Sequence, residues 1–218
     1  MIDKARFFEA KIKNIDPYGK TVTLYGTAEN RGVQLHYDFL VVALGSQTNF
    51  FGMKDVENNA YTMKTLNDAV VLRNRIIDMM EQAENETDPI LRKSLLRFIM
   101  VGGGFAGVVT AGEINDFVTD ISKYYPNIQT EDIKITLVEA TSELLIGFPR
   151  KLANFAKTKL MERGVEVLLN YGVRSFDGKQ VYLENLQKSN DKQGKTILAS
   201  TLVSVSYTHL TLPTILLV

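Results

Sequence analysis

The alternation of hydrophobic and polar residues divides the chain into three stretches with different predicted structure. The first stretch is strand-like up to residue 44, with turns at residues 16–19 and 29–32 that contain Asp, Asn, Pro or Gly. Its predicted strands cover residues 7–12, 21–24, 33–37 and 39–44. The last of these runs is continuously apolar, which is typical of a buried strand.

The second stretch predicts two helices. Apolar residues recur at i, i+3 and i+4 from Leu66 to Met80, and Thr65 suits the N-cap of this helix. The polar residues 81–88 end it, and Pro89 can open a second, shorter helix.

The third stretch alternates strands with helices. Strands are predicted over 98–101, 133–139 and 165–169, and helices over 107–124 and 149–163. A hairpin of residues 173–176 and 180–184 follows, and then one further strand over 197–203. This βαβαβ order predicts an α/β fold: a mostly parallel sheet with helices on its faces and an added hairpin.

Composition removes several classes of function. The 218 residues include 25 basic and 25 acidic side chains, and this zero net charge argues against nucleic-acid binding. The absence of cysteine excludes disulfides, thiolate metal ligands and a redox-active dithiol within the chain. Only His36 and His209 offer imidazole, so we predict no metal site. No apolar run is long enough to predict a membrane-spanning helix.

The sharpest chemical signal is a glycine motif that follows the strand at 98–101. Gly102, Gly104 and Gly107 occupy the three positions of G-x-G-x-x-G, which in a dinucleotide site serve the tight turn, the pyrophosphate approach and close helix packing. The helix that starts here would offer its N-terminal amides to phosphate. An isolated motif of this kind can also be a purely structural turn, so its neighbours decide between the two interpretations.

Glu139 is the neighbour that favours a dinucleotide site. It ends the next predicted strand, where a carboxylate can bind a ribose 2′-hydroxyl and repel a 2′-phosphate. This favours NAD over NADP. The spacing from Gly107 exceeds the usual ~20 residues, which we attribute to an inserted polar loop at 124–132. A solvated strand end is the alternative interpretation.

The glycine motif at 102–107 and the residues 111–117 together resemble the NADH-binding domain of two-dinucleotide flavoproteins. These proteins belong to the pyridine nucleotide-disulfide oxidoreductase-like superfamily. Residues 37–52 resemble the strand and turn that join the FAD and NADH domains of these proteins. Their ending, Thr-Asn-Phe-Phe-Gly, is similar to that of type II NADH dehydrogenases, which are single-subunit, non-pumping NADH:quinone oxidoreductases. Residues 144–149 and 160–167 also fit this family, and the likeness extends from residue 5 to about residue 203.

The resemblance implies hydride transfer from NADH to FAD and electron transfer to a membrane quinone, with FAD and NAD as cofactors. The cofactor-binding residues that it implies are Gly45 and Ser46 near the FAD pyrophosphate, Phe105 and Ala106 by the nicotinamide, and Gly102, Gly104, Gly107 and Glu139 around NADH. A simple turn is the alternative for Gly45 and Ser46. The resemblance also implies peripheral attachment to the cytoplasmic side of a membrane, and it is compatible with a homodimer.

We expect residues 1–62 to be part of an FAD-binding domain, 63–94 a helical connector, and 95–203 a Rossmann-like NADH-binding domain. The first FAD-binding glycine loop is expected upstream of this sequence, and the membrane-attachment helices downstream of residue 203. Residues 204–214 could be encoded by a nucleotide string that resembles the transposon end and adapter of sequencing libraries. We therefore expect residues 204–218 to be foreign to the fold.

Val109 departs from the family pattern, in which glutamate commonly stands at this position. A carboxylate there could assist proton movement to quinone, whereas valine cannot ionise. We therefore predict no catalytic residue in this chain and expect the chain by itself to be inactive. Two alternatives stay open: a soluble NADH-dependent flavoprotein reductase that acts on a small redox protein, and an NADH-binding sensor without catalysis.

Overall fold

The computed structural model describes residues 5–25, 32–43, 45–187, 194–205 and 207–209. The chain divides into two compact units, residues 1–45 and 46–218. The first unit contains an antiparallel sheet of β1 (Lys11–Asp16), β2 (Thr21–Tyr25) and β3 (Val33–His36), in that order. The predictions for β2 and β3 are confirmed within one residue at each end. The strand predicted at 7–12 begins at Lys11 instead, where pairing with Tyr25 starts.

The apolar run at 39–44 does not form the predicted buried strand. Residues 39–43 have no strand assignment, and Phe39 and Val41 are 94% and 86% exposed; Leu44 lies outside the described residues. The prediction was wrong because a buried strand needs neighbours on both edges and both faces. The pairings of β1, β2 and β3 include none of these residues.

The second unit contains five α-helices in its described part and most of the strands. The helices are α1 (Lys54–Asn59), α2 (Leu66–Asn85), α3 (Pro89–Leu95), α4 (Phe105–Ser122) and α5 (Arg150–Glu162). The strands are β4 (Ser46–Thr48), β5 (Tyr61–Thr62), β6 (Arg97–Val101), β7 (Lys134–Glu139), β8 (Glu166–Leu169), β9 (Tyr171–Phe176), β10 (Gln180–Asn185), β11 (Gly194–Leu198), β12 (Thr201–Ser204) and β13 (Tyr207–His209). A 3₁₀ turn at Thr130–Asp132 lies in the loop before β7.

A parallel five-stranded sheet organises the second unit, with strand order β5-β12-β6-β7-β8. The alternating side chains of β6 separate its two faces: Phe98 and Met100 share a core with α2 to α5, whereas Ile99 packs with the antiparallel sheet β11-β10-β9. The predicted α/β class is therefore confirmed. The second face carries the antiparallel sheet and the short helix α1 rather than long helices.

The segment predicted as one strand at 197–203 is two strands in different sheets. Ile197 pairs with Val181 in the antiparallel sheet, whereas Thr201 pairs with Phe98 in the parallel sheet. Between them, the Ser200 N–H donates to the Ser94 carbonyl oxygen at 3.0 Å, and Arg75 donates to the Ser200 carbonyl oxygen at 2.8 Å. The single-strand prediction was wrong because apolarity does not reveal a change of sheet.

Thr65 caps α2 as predicted, in a reciprocal capping box with Asp68. The Thr65 side chain accepts from the Asp68 N–H at 3.1 Å, and the Asp68 carboxylate accepts from the N–H groups of Thr65 and Lys64. These backbone N–H groups, that of Thr65 first, hold the pKa of the Asp68 carboxyl below its usual value. The box fixes where α2 begins.

The structure can be compared with two predicted boundaries, at residue 62 and at residue 204. The FAD-domain boundary at residue 62 stays a prediction; the compact units divide at residue 45, and β5 pairs with β12 in the second unit. The expectation that residues 204–218 are foreign to the fold also stays a prediction, although the described residues of this segment take part in the structure: residues 207–209 form β13, which pairs with β4. Ser204 ends β12, and Val205 is buried with its N–H bonded to the Val101 carbonyl oxygen at 3.0 Å. Residues 206 and 210–218 lie outside the described residues.

Candidate functional site

The glycine loop turns the chain from β6 into α4 at the carboxyl edge of the parallel sheet. Gly102 has a φ of 114°, a conformation that favours glycine, and its N–H donates to the Val138 carbonyl oxygen at 2.9 Å. A Cβ added to Gly107 would lie 1.7 Å from the Gly102 carbonyl oxygen. The first and third glycines therefore have structural reasons that hold without any ligand.

Gly104 has neither of these reasons. It is the N-cap of α4 with a φ of −71° and a ψ of −175°, which any residue adopts, and a Cβ added to it would meet nothing within 4 Å. The open space lies directly in front of the first turn of α4, where the backbone N–H groups are unpaired within the helix. The protein's own packing does not require glycine at this position. A ligand group that approaches the backbone closely here would require it, because any side chain would stand in its way.

Glu139 lies beside the loop as the last residue of β7, and both of its carboxylate oxygens are hydrogen-bonded. Oε2 accepts from the Gly103 N–H at 2.5 Å, and Oε1 accepts from the N–H and the hydroxyl of Thr141, each at 2.8 Å. The acidic residue that the sequence singled out thus contacts the glycine loop itself. The structure brings Gly102, Gly104, Gly107 and Glu139 to one edge of one sheet.

Gly103, the variable position within the motif, is held by the segment after β7. Its carbonyl oxygen accepts from the Leu145 N–H at 2.8 Å, and its N–H donates to Glu139 at the end of β7. A Cβ added here would lie 2.6 Å from Leu144 and 2.9 Å from Glu139. Sequence reasoning missed this role of Gly103 because no spacing rule connects residue 103 to residues 139–145.

A cavity of about 390 Å³ opens next to this edge. Its size falls within the range of about 300–1,000 Å³ that is common for small-molecule sites. Its lining is mostly apolar and combines the ends of β6 and β7 with the start of β9: Phe51, Met53, Val101, Gly102, Val138, Glu139, Ala140, Tyr171, Gly172, Val173, Arg174 and Leu186. The cavity lies at the carboxyl edge of the parallel sheet, which is where ligands bind in open α/β folds.

Phe105 and Ala106 form the start of α4, and the Phe105 side chain is 68% exposed. Val109 lies one turn further along α4 and is 44% exposed. It lines a groove of about 270 Å³ between α2 and α4 that also includes Arg73 and Glu113. Position 109 is therefore accessible rather than part of the core.

Gly45 and Ser46 belong to different units. Gly45 closes the first unit with a φ of 78°, and a Cβ added to it would meet nothing within 4 Å. Ser46 opens the second unit in β4, where it pairs with His209 of β13. Across the described ranges, no group of three or more His, Asp or Glu side chains is placed to hold a metal ion.

Comparison with known proteins supplies the family. A probable NADH dehydrogenase of Dictyostelium discoideum is 33% identical over 187 residues, which cover 84% of this chain and 42% of that protein. The external alternative NADH-ubiquinone oxidoreductase, mitochondrial, of Yarrowia lipolytica is 31% identical over 206 residues, 92% of this chain and 35% of that protein. The chain thus spans less than half the length of these relatives.

A solved structure agrees with the sequence relatives. NDH2 from Plasmodium falciparum, in complex with NADH, superposes with a TM-score of 0.74 and 26% identity, over 91% of this chain and 40% of that chain. The predicted resemblance to NADH dehydrogenases is confirmed by these matches. A family model described as pyridine nucleotide-disulphide oxidoreductase matches residues 4–206. This chain therefore belongs to the pyridine nucleotide-disulphide oxidoreductase family.

Proposed function

We propose that this chain is the NADH-binding portion of an FAD-dependent NADH dehydrogenase that passes electrons to a quinone. The observation that carries the proposal is the open space at Gly104, at the start of α4 and next to the contact between Gly103 and Glu139. Relatives named as NADH-ubiquinone oxidoreductases and a structural neighbour solved with NADH support the same assignment.

The proposed NADH site uses backbone groups for the phosphates and a carboxylate for the ribose. The N-terminal end of α4, an 18-residue helix, attracts the pyrophosphate through its free N–H groups and its dipole. Glu139 would accept a hydrogen bond from a ribose hydroxyl, which favours NADH over NADPH. Phe105 and Ala106, in the first turn of α4, would lie by the nicotinamide.

FAD, when bound, supplies the flavin that takes up hydride from NADH and passes the electrons on. The sequence has a single G-x-G-x-x-G motif, at 102–107, so the residues of this chain do not fit the pyrophosphate of a second dinucleotide. In our proposal Gly45 and Ser46 lie at the margin of the FAD site and do not hold FAD alone. We expect the chain by itself to bind NADH and not FAD.

We further propose that the whole protein attaches peripherally to the cytoplasmic side of a membrane, and that its partners are the membrane surface, quinone and a second copy of the protein. The relative from Yarrowia is named as external and mitochondrial. Of the helices in the described ranges, none combines the length and the apolarity needed to cross a membrane.

NADH titration tests the cofactor assignment. We expect saturable binding to the purified chain, followed by nicotinamide fluorescence, and loss of binding in Gly104→Val, whose added side chain fills the phosphate approach. The matched control is Gly112→Val on the same helix, where an added Cβ meets only side-chain atoms at 3.9 Å. Equal binding by Gly104→Val and the original chain would contradict the proposed site.

Turnover tests the reaction. We expect the longer protein that contains this chain, loaded with FAD, to oxidise NADH and reduce a soluble ubiquinone analogue. Reduction of a small redox protein without quinone reduction would favour the soluble reductase instead. NADH binding without oxidation would favour the sensor, and recovery of turnover in Val109→Glu would then trace the loss to this position.

A further inference from the structure

Thr141 donates two hydrogen bonds to Glu139, and it has no assigned part in the proposed NADH site. Its N–H and its hydroxyl both lie 2.8 Å from Oε1 of Glu139. The same hydroxyl lies 2.9 Å from the Glu143 carbonyl oxygen, but it has only one proton to donate. An ionised carboxylate is the stronger acceptor, so the proton is directed to Glu139.

The two carboxylate oxygens of Glu139 accept different numbers of these hydrogen bonds. Each oxygen can accept about two hydrogen bonds. Oε1 receives two from Thr141, whereas Oε2 receives one, from the Gly103 N–H. Counting the bonds from described residues, the remaining acceptor position of the carboxylate is therefore on Oε2, the oxygen beside the glycine loop.

We propose that Thr141 is a positioning residue that sets the preference for a dinucleotide with a free ribose 2′-hydroxyl. This inference rests on the proposed NADH site. By occupying Oε1, Thr141 fixes the rotation of the carboxylate and presents Oε2 to the ligand. A fixed acceptor binds a hydroxyl well and repels a 2′-phosphate strongly, whereas a rotating carboxylate can turn away from the phosphate.

The surroundings support a fixed carboxylate rather than a merely stable loop. Gly103 bonds to Glu139 through its N–H and to Leu145 through its carbonyl oxygen, so the loop retains an anchor that is independent of Thr141. Loss of the Thr141 hydroxyl would therefore loosen the carboxylate, whose Oε1 keeps the bond from the Thr141 N–H, without releasing the glycine loop. The selectivity of the site and its integrity can thus be separated by mutation.

Thr141→Val removes the hydroxyl and keeps the shape and the backbone N–H. In the Thr141→Val variant of this chain, we expect the ratio of the NADPH dissociation constant to the NADH dissociation constant to fall about tenfold. The reason is that one hydrogen bond to a charged group is lost. Thr141→Ser, which keeps the hydroxyl, should restore the ratio. Thr119→Val on the exposed part of α4 is the matched control and should leave the ratio unchanged, since the Thr119 hydroxyl bonds within its own helix, to the Asn115 carbonyl oxygen at 2.8 Å.

Each other result has a definite meaning. Equal weakening of NADH and NADPH in Thr141→Val, or an unchanged ratio, would overturn the positioning role while leaving the NADH site intact. If the original chain binds neither dinucleotide, the proposed NADH site fails and this inference fails with it. Thermal melting of each variant confirms that the ratios are compared between folded proteins.

Discussion

Two segments of this chain have similar apolar patterns but very different environments. Residues 39–43 and β6 (Arg97–Val101) both carry a phenylalanine at the start of an apolar run, and a glycine with positive φ follows each run: Gly45 at 78° and Gly102 at 114°. Yet Phe39 is 94% exposed, whereas Phe98 is completely buried.

The difference teaches that an apolar run specifies what must be buried, whereas its neighbours decide whether it is. β6 pairs with β12 on one edge and β7 on the other, and it has a packed layer on each face. Within the described residues, 39–43 takes part in no strand pairing. The turn after β6 is bonded to another strand of its unit, because the Gly102 N–H donates to the Val138 carbonyl oxygen.

The largest expected effect separates the two phenylalanines. Phe98→Ala should lower the free energy of unfolding of the second unit by about 3–5 kcal/mol, because it leaves a cavity in the core. Phe39→Ala should change stability by no more than about 0.5 kcal/mol. Chemical denaturation followed by circular dichroism measures both, and a comparable loss in Phe39→Ala would show that this segment is buried in solution.

The next effect concerns the turn after β6. Gly107→Ala should cost up to about 3 kcal/mol of stability through overpacking, because its Cβ would lie 1.7 Å from the Gly102 carbonyl oxygen. Gly112→Ala, five residues further along α4, serves as the control, because its Cβ would lie 3.9 Å from the nearest side-chain atoms. Equal stability of the two variants would mean that α4 packs less closely on β6 than described.

A smaller effect is expected on NADH affinity when Glu139, which bonds to the same turn, is replaced. Glu139→Arg should weaken NADH binding about tenfold or more, since it removes the acceptor and one bond to the loop. Glu139→Gln is the control for shape, and it should bind NADH with intermediate affinity. Unchanged NADH affinity in Glu139→Arg, measured by titration, would remove the ribose assignment.

A smaller loss of stability than at Gly107 is expected at the turn that follows the exposed segment. Gly45→Ala meets no steric contact within 4 Å, so its cost comes from the positive φ alone. This amounts to about 1–2 kcal/mol. Gly45→Asn should cost less, because asparagine tolerates this conformation. A loss well above that of Gly107→Ala would reverse the contrast between the two turns.

The sequence predicted the elements whose signals are local. The helical period and Thr65 located α2, and the glycine motif located the turn into α4. It failed where the outcome depends on partners: the exposure of residues 39–43, the change of sheet at Ser200, and the two-residue strand β5. Each of these depends on contacts between residues far apart in the chain, which a periodic pattern does not contain.

The candidate site follows the same division. Gly102, Gly104 and Gly107 were identified from motif spacing, and Glu139 from its place at the end of the next predicted strand. All four lie at one edge of the sheet. The contacts of Gly103 and Thr141 were not predicted, because they depend on the path of the chain after β7. Thr141 follows the strand-ending acid by two residues, and this proximity was the one available signal.

The position of β12 has a consequence for how the protein is made. β12 lies between β5 and β6, although it is translated about a hundred residues after β6. At about 5–20 residues per second, the ribosome leaves one edge of β6 unpaired for roughly 5–20 s. During that interval a nascent chain exposes an apolar strand edge, which other chains can pair with. Chaperone binding to the nascent chain should therefore be strongest before residue 204 emerges and should decline once it has.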